Sequence, residues 1–161
     1  MILVAYASKH GSTEGIAQAI AKRLDYRDLD ARAHTVHELE DVGRPEAVVL
    51  GSAVYAGSWM KDAVRFAEAH AEELADVPVW LFSSGPLGEE VKDEEEQPRQ
   101  LPELRELLHP REHRVFFGAL DREKLSFSER MIVKAVKAPD GDFRDWDAIN
   151  GWADEIADEL R

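Results

Sequence analysis

Apolar residues come in short unbroken runs, at Ile2–Ala7, Ala47–Ser52, Val79–Ser83 and Val115–Leu120, with a weaker alternating stretch at Asp30–Val36. Runs of this length, rich in β-branched and aromatic residues, predict strands buried on both faces. Between them apolar positions recur at helical spacing over Thr13–Leu24, Met60–Leu74 and Leu101–Leu108. A last helix is predicted from Trp146 to Leu160, where Trp146, Ile149, Trp152, Ala153, Ile156 and Leu160 form one stripe that places both tryptophans in the core. Pro139, Gly141 and Asp142 break the chain ahead of it, and Asp145 is placed to cap it. Strands alternating with helices imply a parallel sheet covered on both faces. The expectation is a doubly wound α/β sandwich of five parallel strands and about five helices, in one domain over residues 1–161. Two stretches interrupt the alternation. Glu89–Gln97 is an almost unbroken acidic loop ending at Pro98, and Asp121–Asp142 inserts about twenty residues before the last helix.

Composition narrows the function classes. The 161 residues, 44% of them hydrophobic, suffice for one core and are too few for two ordinary domains. With no cysteine, thiolate catalysis, disulfides and Cys-ligated metal or iron–sulfur centres are excluded. No apolar stretch approaches membrane-spanning length and Met1 leads straight into a strand, so a cytoplasmic protein is expected. A net charge of −13 argues against a nucleic-acid partner. The same charge suits plain solubility, docking to a basic partner, or a salty cytoplasm.

The chemistry is concentrated in turns that follow strands. After the first strand come Ser8, Lys9, His10, Gly11, Ser12 and Thr13, and then a helix. Such a turn aims backbone N–H groups and the positive end of the helix dipole at one point, and its hydroxyls add donors for an anion. It lacks the GxxxxGK spacing of a Walker loop and is not GxGxxG, so a single terminal phosphate monoester, such as that of FMN, is the better fit. An ordinary turn in which Ser12 or Thr13 caps the helix is the alternative. The second loop runs from Gly51 to Trp59 and holds Ser52, Ala53, Val54, Tyr55, Ala56 and Gly57. Its small residues let a flat ligand approach the backbone, while Tyr55 and Trp59 either stack on that ligand or close the core. The third loop is Ser83, Ser84, Gly85, Pro86, Leu87 and Gly88. The three loops are predicted to converge on one edge of the sheet. No acid–base pair, nucleophile or metal-ligand cluster stands out.

Ser8-x-x-Gly11-x-Thr13 resembles the phosphate loop of flavodoxin-like proteins, and the second and third loops fall where those proteins hold the isoalloxazine. The chain is more closely similar to the menaquinone-dependent, oxygen-independent protoporphyrinogen oxidase group and its flavodoxin-domain relatives. That likeness is carried by Gly51–Gly57, Phe117–Leu120, Leu125–Phe127, Met131–Lys134 and Gly141–Trp146, and it spans essentially the whole chain. The resemblance implies strand order 2-1-3-4-5, non-covalent FMN with its phosphate on Ser8–Thr13, and a ring lined by Ser52–Gly57 and Ser83–Gly88. It further implies an oxidoreductase passing hydrogen from a porphyrinogen to a quinone. A flavodoxin-type carrier docking a basic redox protein is the alternative, and a flavin-less binding or regulatory module the second.

Three departures qualify the resemblance. His10 stands where flavodoxins usually have Thr or Ser, and would make phosphate binding depend on pH, or else is an exposed loop residue without a role. The third loop contains no aromatic residue, which leaves one face of the ring open to a substrate. The acidic run Glu89–Glu96 stands where the oxidase group has basic residues, and would repel a substrate bearing carboxylates if it is more than a solvated charge run. Within segment 122–137, Arg122, Lys124, Arg130, Lys134 and Lys137 lie beside Leu125, Phe127, Met131, Ile132, Val133 and Val136. This basic amphipathic stretch either covers the sheet edge or makes peripheral contact with the inner face of a membrane, where a quinone would be met.

Overall fold

The computed structural model describes residues 1–9, 11–85, 97–120, 141–142 and 144–160. In chain order the elements are β1 (Ile2–Ala7), α1 (Ser12–Tyr26), β2 (Ala31–Thr35), a 3-10 turn (Val36–Glu38), β3 (Ala47–Tyr55), β4 (Ser58–Trp59), α2 (Lys61–His70), β5 (Val79–Ser84), α3 (Leu101–Leu108), β6 (Glu112–Phe116), β7 (Ala119–Leu120), β8 (Gly141–Asp142) and α4 (Trp146–Leu160). The acidic stretch 89–96 and the basic segment 122–137 lie outside the described residues.

The sheet runs β2-β1-β3-β5-β6, all parallel, which is the expected 2-1-3-4-5 when the five parallel strands are counted alone. β4 is a sixth strand that sequence periodicity does not announce. It pairs antiparallel with the end of β3, Val54 opposite Trp59 and Tyr55 opposite Ser58. β7 and β8 form a separate two-stranded antiparallel ribbon.

Side chains alternate between two cores because successive residues of a strand point to opposite faces. On one face Ile2, Val4, Tyr6, Val49 and Phe82 pack under α1 and α4, whose Ile16, Ile20, Leu24, Trp152 and Ile156 cover them. On the other, Leu3, Ala5, Val48, Leu50 and Leu81 meet Phe66 of α2 and Leu101, Leu104 and Leu108 of α3. Outside the first core, α1 is tied to α4 by a fork from Arg23 to Asp154, at 2.8 and 3.0 Å, with Arg27 reaching the same carboxylate at 3.1 Å.

Element boundaries shift for identifiable reasons. The fifth parallel strand is Glu112–Phe116 rather than Val115–Leu120. As an edge strand it bonds to β5 alone, and its polar residues point at partners: Arg114 donates to Glu155 at 2.9 Å, and the Trp152 indole donates to Glu112. α2 ends at His70, and turns carry the chain on while Leu74 stays buried at 1% exposure. Four helices are present among the described residues, against the five or so expected. The cap of the last helix is as expected, with the Ala148 N–H donating to Asp145 Oδ1 at 3.0 Å. Its first tryptophan is not. Trp146 is 40% exposed and lies under the Arg144 guanidinium, 4.8 Å from the ring centroid, whereas Trp152 is in the core at 1%. The stripe therefore begins at Ile149, and Trp146 instead pairs with Arg144 beside Gly15 of α1.

Candidate functional site

The phosphate-loop candidates form a tight turn between β1 and α1. Gly11 has φ +88°, in the left-handed region, and its N–H donates to Ser8 Oγ at 3.1 Å. Gly11 is also the residue that caps α1, so neither Ser12 nor Thr13 acts as a conventional side-chain cap. The first N–H groups of α1 therefore point out of the helix beside the Ser8 and Ser12 hydroxyls, the arrangement an anion requires. Thr13 is buried at 1% exposure, whereas Lys9 and Gly11 are exposed. His10 lies outside the described residues. Beneath the turn Tyr6 is nearly buried. Burial raises its phenol, and Glu14, which faces it from the first turn of α1, raises it further, so Tyr6 stays a neutral hydrogen-bond donor.

The second loop is the β3–β4 hairpin. Ala56 (φ +49°) and Gly57 (φ +79°) occupy the two central positions of a type I′ turn. Alanine in the left-handed region is strained by about 1 kcal/mol. Ala56→Asn is therefore expected to raise the thermal midpoint by a few degrees, read by circular dichroism, and an unchanged or lower midpoint would show that the turn is not strained. The hairpin is pinned from behind. The Arg99 N–H donates to the Gly57 carbonyl, the Trp59 N–H to Gln100 Oε1 and the Met60 N–H to Ser52 Oγ, each at 3.0 Å. The Trp59 side chain is buried at 3%, and its indole N–H donates to Ser83 Oγ at 2.7 Å. Trp59 is thus a support of the core, and Tyr55, 41% exposed, is the ring this loop presents outward.

In the third loop the two serines differ because they point to opposite faces of β5. Ser83 Oγ also meets His113 Nε2 at 2.7 Å, so its hydroxyl is held behind the sheet between Trp59 and His113. Burial, with a smaller contribution from Arg105, lowers the His113 imidazole to about 4, and its Nδ1 is buried without a hydrogen-bond partner among the described residues. Ser84 is 1% exposed and its hydroxyl has no partner among the described residues either. Gly85 has φ +117°, and its N–H donates to the Phe116 carbonyl at 3.2 Å. Pro86, Leu87 and Gly88 lie outside the described residues.

Close approaches between glycines show that the loops converge. A Cβ on Gly85 would sit 3.4 Å from the Val54 carbonyl oxygen, joining the second loop to the third. A Cβ on Gly118 would sit 2.9 Å from Gly85 Cα and 3.4 Å from Ser12 Oγ, joining the third loop to the phosphate loop. Val54, Gly85, Gly118 and Ser12, each at or beyond the carboxyl end of a different parallel strand, thus enclose one cradle at the carboxyl edge of the sheet. Such an edge is where ligands of doubly wound sheets bind. Gly118 is the member that sequence reasoning missed as a site residue. The signal was hidden by the strand boundary: with the fifth strand read as Val115–Leu120, Gly118 fell inside it, and only the observed end at Phe116 places it in a loop after the strand. Among the described residues no group of three His, Asp or Glu side chains could hold a metal ion, and no helix is long and apolar enough to cross a membrane.

The model of the flavodoxin domain family matches residues 3–147. The chain belongs to that family. It is similar to the protoporphyrinogen IX dehydrogenase [quinone] of Escherichia coli K12, 23% identical across 96% of this chain and 93% of that protein. Among solved structures, oxidised flavodoxin 2 from Bacillus cereus superposes with a TM-score of 0.63 at 23% identity, over 98% of both chains. The rubredoxin oxygen:oxidoreductase of Desulfovibrio gigas superposes with a TM-score of 0.66 at 13% identity; this chain spans 35% of its length. As a flavodoxin domain the protein binds FMN. Its residues fit that cofactor: a helix N-terminus free of a side-chain cap for the phosphate, a cradle that any Cβ at Gly118 would fill, and a buried hydroxyl at Ser84 lacking a partner.

Proposed function

We propose that this flavodoxin domain is an FMN-dependent dehydrogenase that oxidises a porphyrinogen and delivers the reducing equivalents to a quinone. The observation that carries the reading is the end-to-end alignment with the Escherichia coli protoporphyrinogen IX dehydrogenase, which takes in the β7–β8 ribbon and α4 as well as the sheet. Bound FMN supplies the redox chemistry. The chain's own part is to hold and expose it. Ser8, Gly11, Ser12 and Thr13 hold the phosphate with hydroxyls and first-turn N–H groups. Tyr55 and the Val54 and Gly85 backbones flank the ring, and Gly118 keeps the floor of the cradle open. Behind them Ser52, Trp59 and Ser83 fix the two ring loops to each other, so the ring edge meets a preformed wall.

The test is anaerobic turnover of protoporphyrinogen by the FMN-loaded protein with a soluble menaquinone analogue, followed by porphyrin fluorescence. Flavin-dependent porphyrin formation supports the reading, and tight FMN binding without it overturns the substrate. One observation favours a carrier instead. Burial is slight at Glu103, yet its carboxyl is raised, chiefly by a hydrogen bond with Glu68 on the neighbouring helix, so two carboxyls meet where α2 and α3 adjoin, a local acidic spot that would suit a basic redox partner. FMN-loaded protein that reduces or oxidises a basic redox protein, but not protoporphyrinogen, would select that reading.

A further inference from the structure

Gly15 is an unfavourable residue for the first turn of a helix, costing about 1 kcal/mol relative to alanine. Its lack of a side chain has a visible cause: a Cβ there would lie 2.6 Å from Arg144 Nη1. Arg144 precedes α4, yet its guanidinium rests against the turn of α1 whose N–H groups form the phosphate site. It is held there on two sides. Nε and Nη2 form a fork with the Asp142 carboxylate at 2.9 and 2.6 Å, and the plane stacks on Trp146. The side chain is only 19% exposed, and hydrogen bonding to Asp142 keeps its charge firmly in place. Nη1, the nitrogen beside Gly15, has no acceptor among the described residues.

We propose that Arg144, admitted by Gly15 and aimed by Asp142 and Trp146, is a phosphate-recognition residue of the cofactor site, its Nη1 donating to the terminal phosphate of FMN. The inference rests on Ser8–Thr13 being the phosphate loop. It makes the segment before α4 part of the cofactor site and gives an otherwise acidic chain a fixed cation for a dianionic group. A charge-assisted hydrogen bond of this kind distinguishes FMN from riboflavin, which shares the ring and ribityl chain but lacks the phosphate.

Dissociation constants for FMN and riboflavin, measured by flavin fluorescence quenching on the apoprotein, test it. Arg144→Gln is expected to weaken FMN about tenfold or more while leaving riboflavin nearly unchanged, and to flatten the dependence of FMN affinity on salt. Gly15→Ala, which keeps the charge but displaces the guanidinium, is expected to shift the same ratio in the same direction. Arg111→Gln, which removes an arginine paired with Glu159 on the outer surface, should leave the ratio unchanged. Equal losses for FMN and riboflavin, or no loss for either, would overturn the proposal and reduce Arg144 to a packing residue. Failure of the unsubstituted protein to bind FMN would instead remove the phosphate-loop assignment on which it rests.

Discussion

Gly51→Ala is expected to lower the stability of the protein by about 3 kcal/mol, the upper end of ordinary overpacking penalties. Gly51 lies in the middle of β3, where its missing side chain leaves room for the Phe82 ring from β5. A Cβ there would fall 2.1–2.5 Å from three atoms of that ring. The ring has nowhere to go. Phe82 is fully buried, with Phe116 and Trp152 each 6.2 Å away between centroids and 5.5 Å from one another. For a chain of this size the loss corresponds to a thermal midpoint lower by roughly 6–12 °C. Phe82→Leu in the Gly51→Ala background should recover part of it, so that the double variant is more stable than the sum of the single effects by about 1 kcal/mol. A midpoint within 2 °C or so of the parent for Gly51→Ala would mean that the aromatic cluster yields, contrary to this account.

The second large effect concerns acid. The neutral His113 imidazole is favoured in the folded state, with its protonation lowered from 6.5 to about 4 by burial and by Arg105. The unfolded chain therefore binds a proton that the folded one refuses. The corresponding stability is complete above pH 6.5 and is lost as pH falls toward 4. Full conversion of the shift gives about 3 kcal/mol, and solvent at the outer side of this half-buried residue reduces the expectation to about 2. Urea unfolding at pH 7 and at pH 4.5 reads it out, with His113→Gln as the comparison. The variant keeps a polar group beside Ser83 but cannot gain the proton, so its loss of stability between the two pH values should be smaller. Equal losses in the two proteins would assign the acid sensitivity elsewhere. The carboxyls of Asp142 and Asp154, held low by hydrogen bonds from Arg144 and Arg23, titrate below this window.

Much of the fold was legible because buried parallel strands have few ways to be written. Ile2–Ala7 and Val79–Phe82 are apolar on both faces, and a buried parallel strand is the element that takes such short unbroken runs between polar turns. β6 was misplaced because an edge strand satisfies only one neighbour, so Glu112, His113 and Arg114 carry no apolar signature. β4 was missed because two residues have no period, and Ala56, unlike Asn or Gly, does not advertise a left-handed turn. At the candidate site, the small and hydroxylic residues of the three loops gave the expectation of a ligand, and the structure brings Ser12, Val54 and Gly85 of those loops together. Which hydroxyl faces the cradle depends on strand register. Ser83 and Ser84 are adjacent in sequence, yet one is held between Trp59 and His113 and the other is buried without a partner. The same limit applied to Trp59 and Trp146, since helical or loop spacing gives a direction but not whether a neighbouring element lies in it. Arg144 was invisible for a different reason: its partner Gly15 is far away in the chain, and the pairing exists only once α4 lies beside α1.

The cradle formed by Ser12, Val54, Gly85 and Gly118 has a consequence for how the protein assembles. Its four walls are drawn from positions between 12 and 118, and no neighbouring pair of elements supplies more than a part of it. Contacts between such remote segments form late, because each requires closure of a long loop before it returns any stabilisation. A partly folded intermediate that has joined only β1, α1 and β2 holds the turn between β1 and α1 but not the rest of the cradle. Flavin capture is therefore a report on completion: in refolding, quenching of flavin fluorescence should trail the recovery of helical and sheet signal.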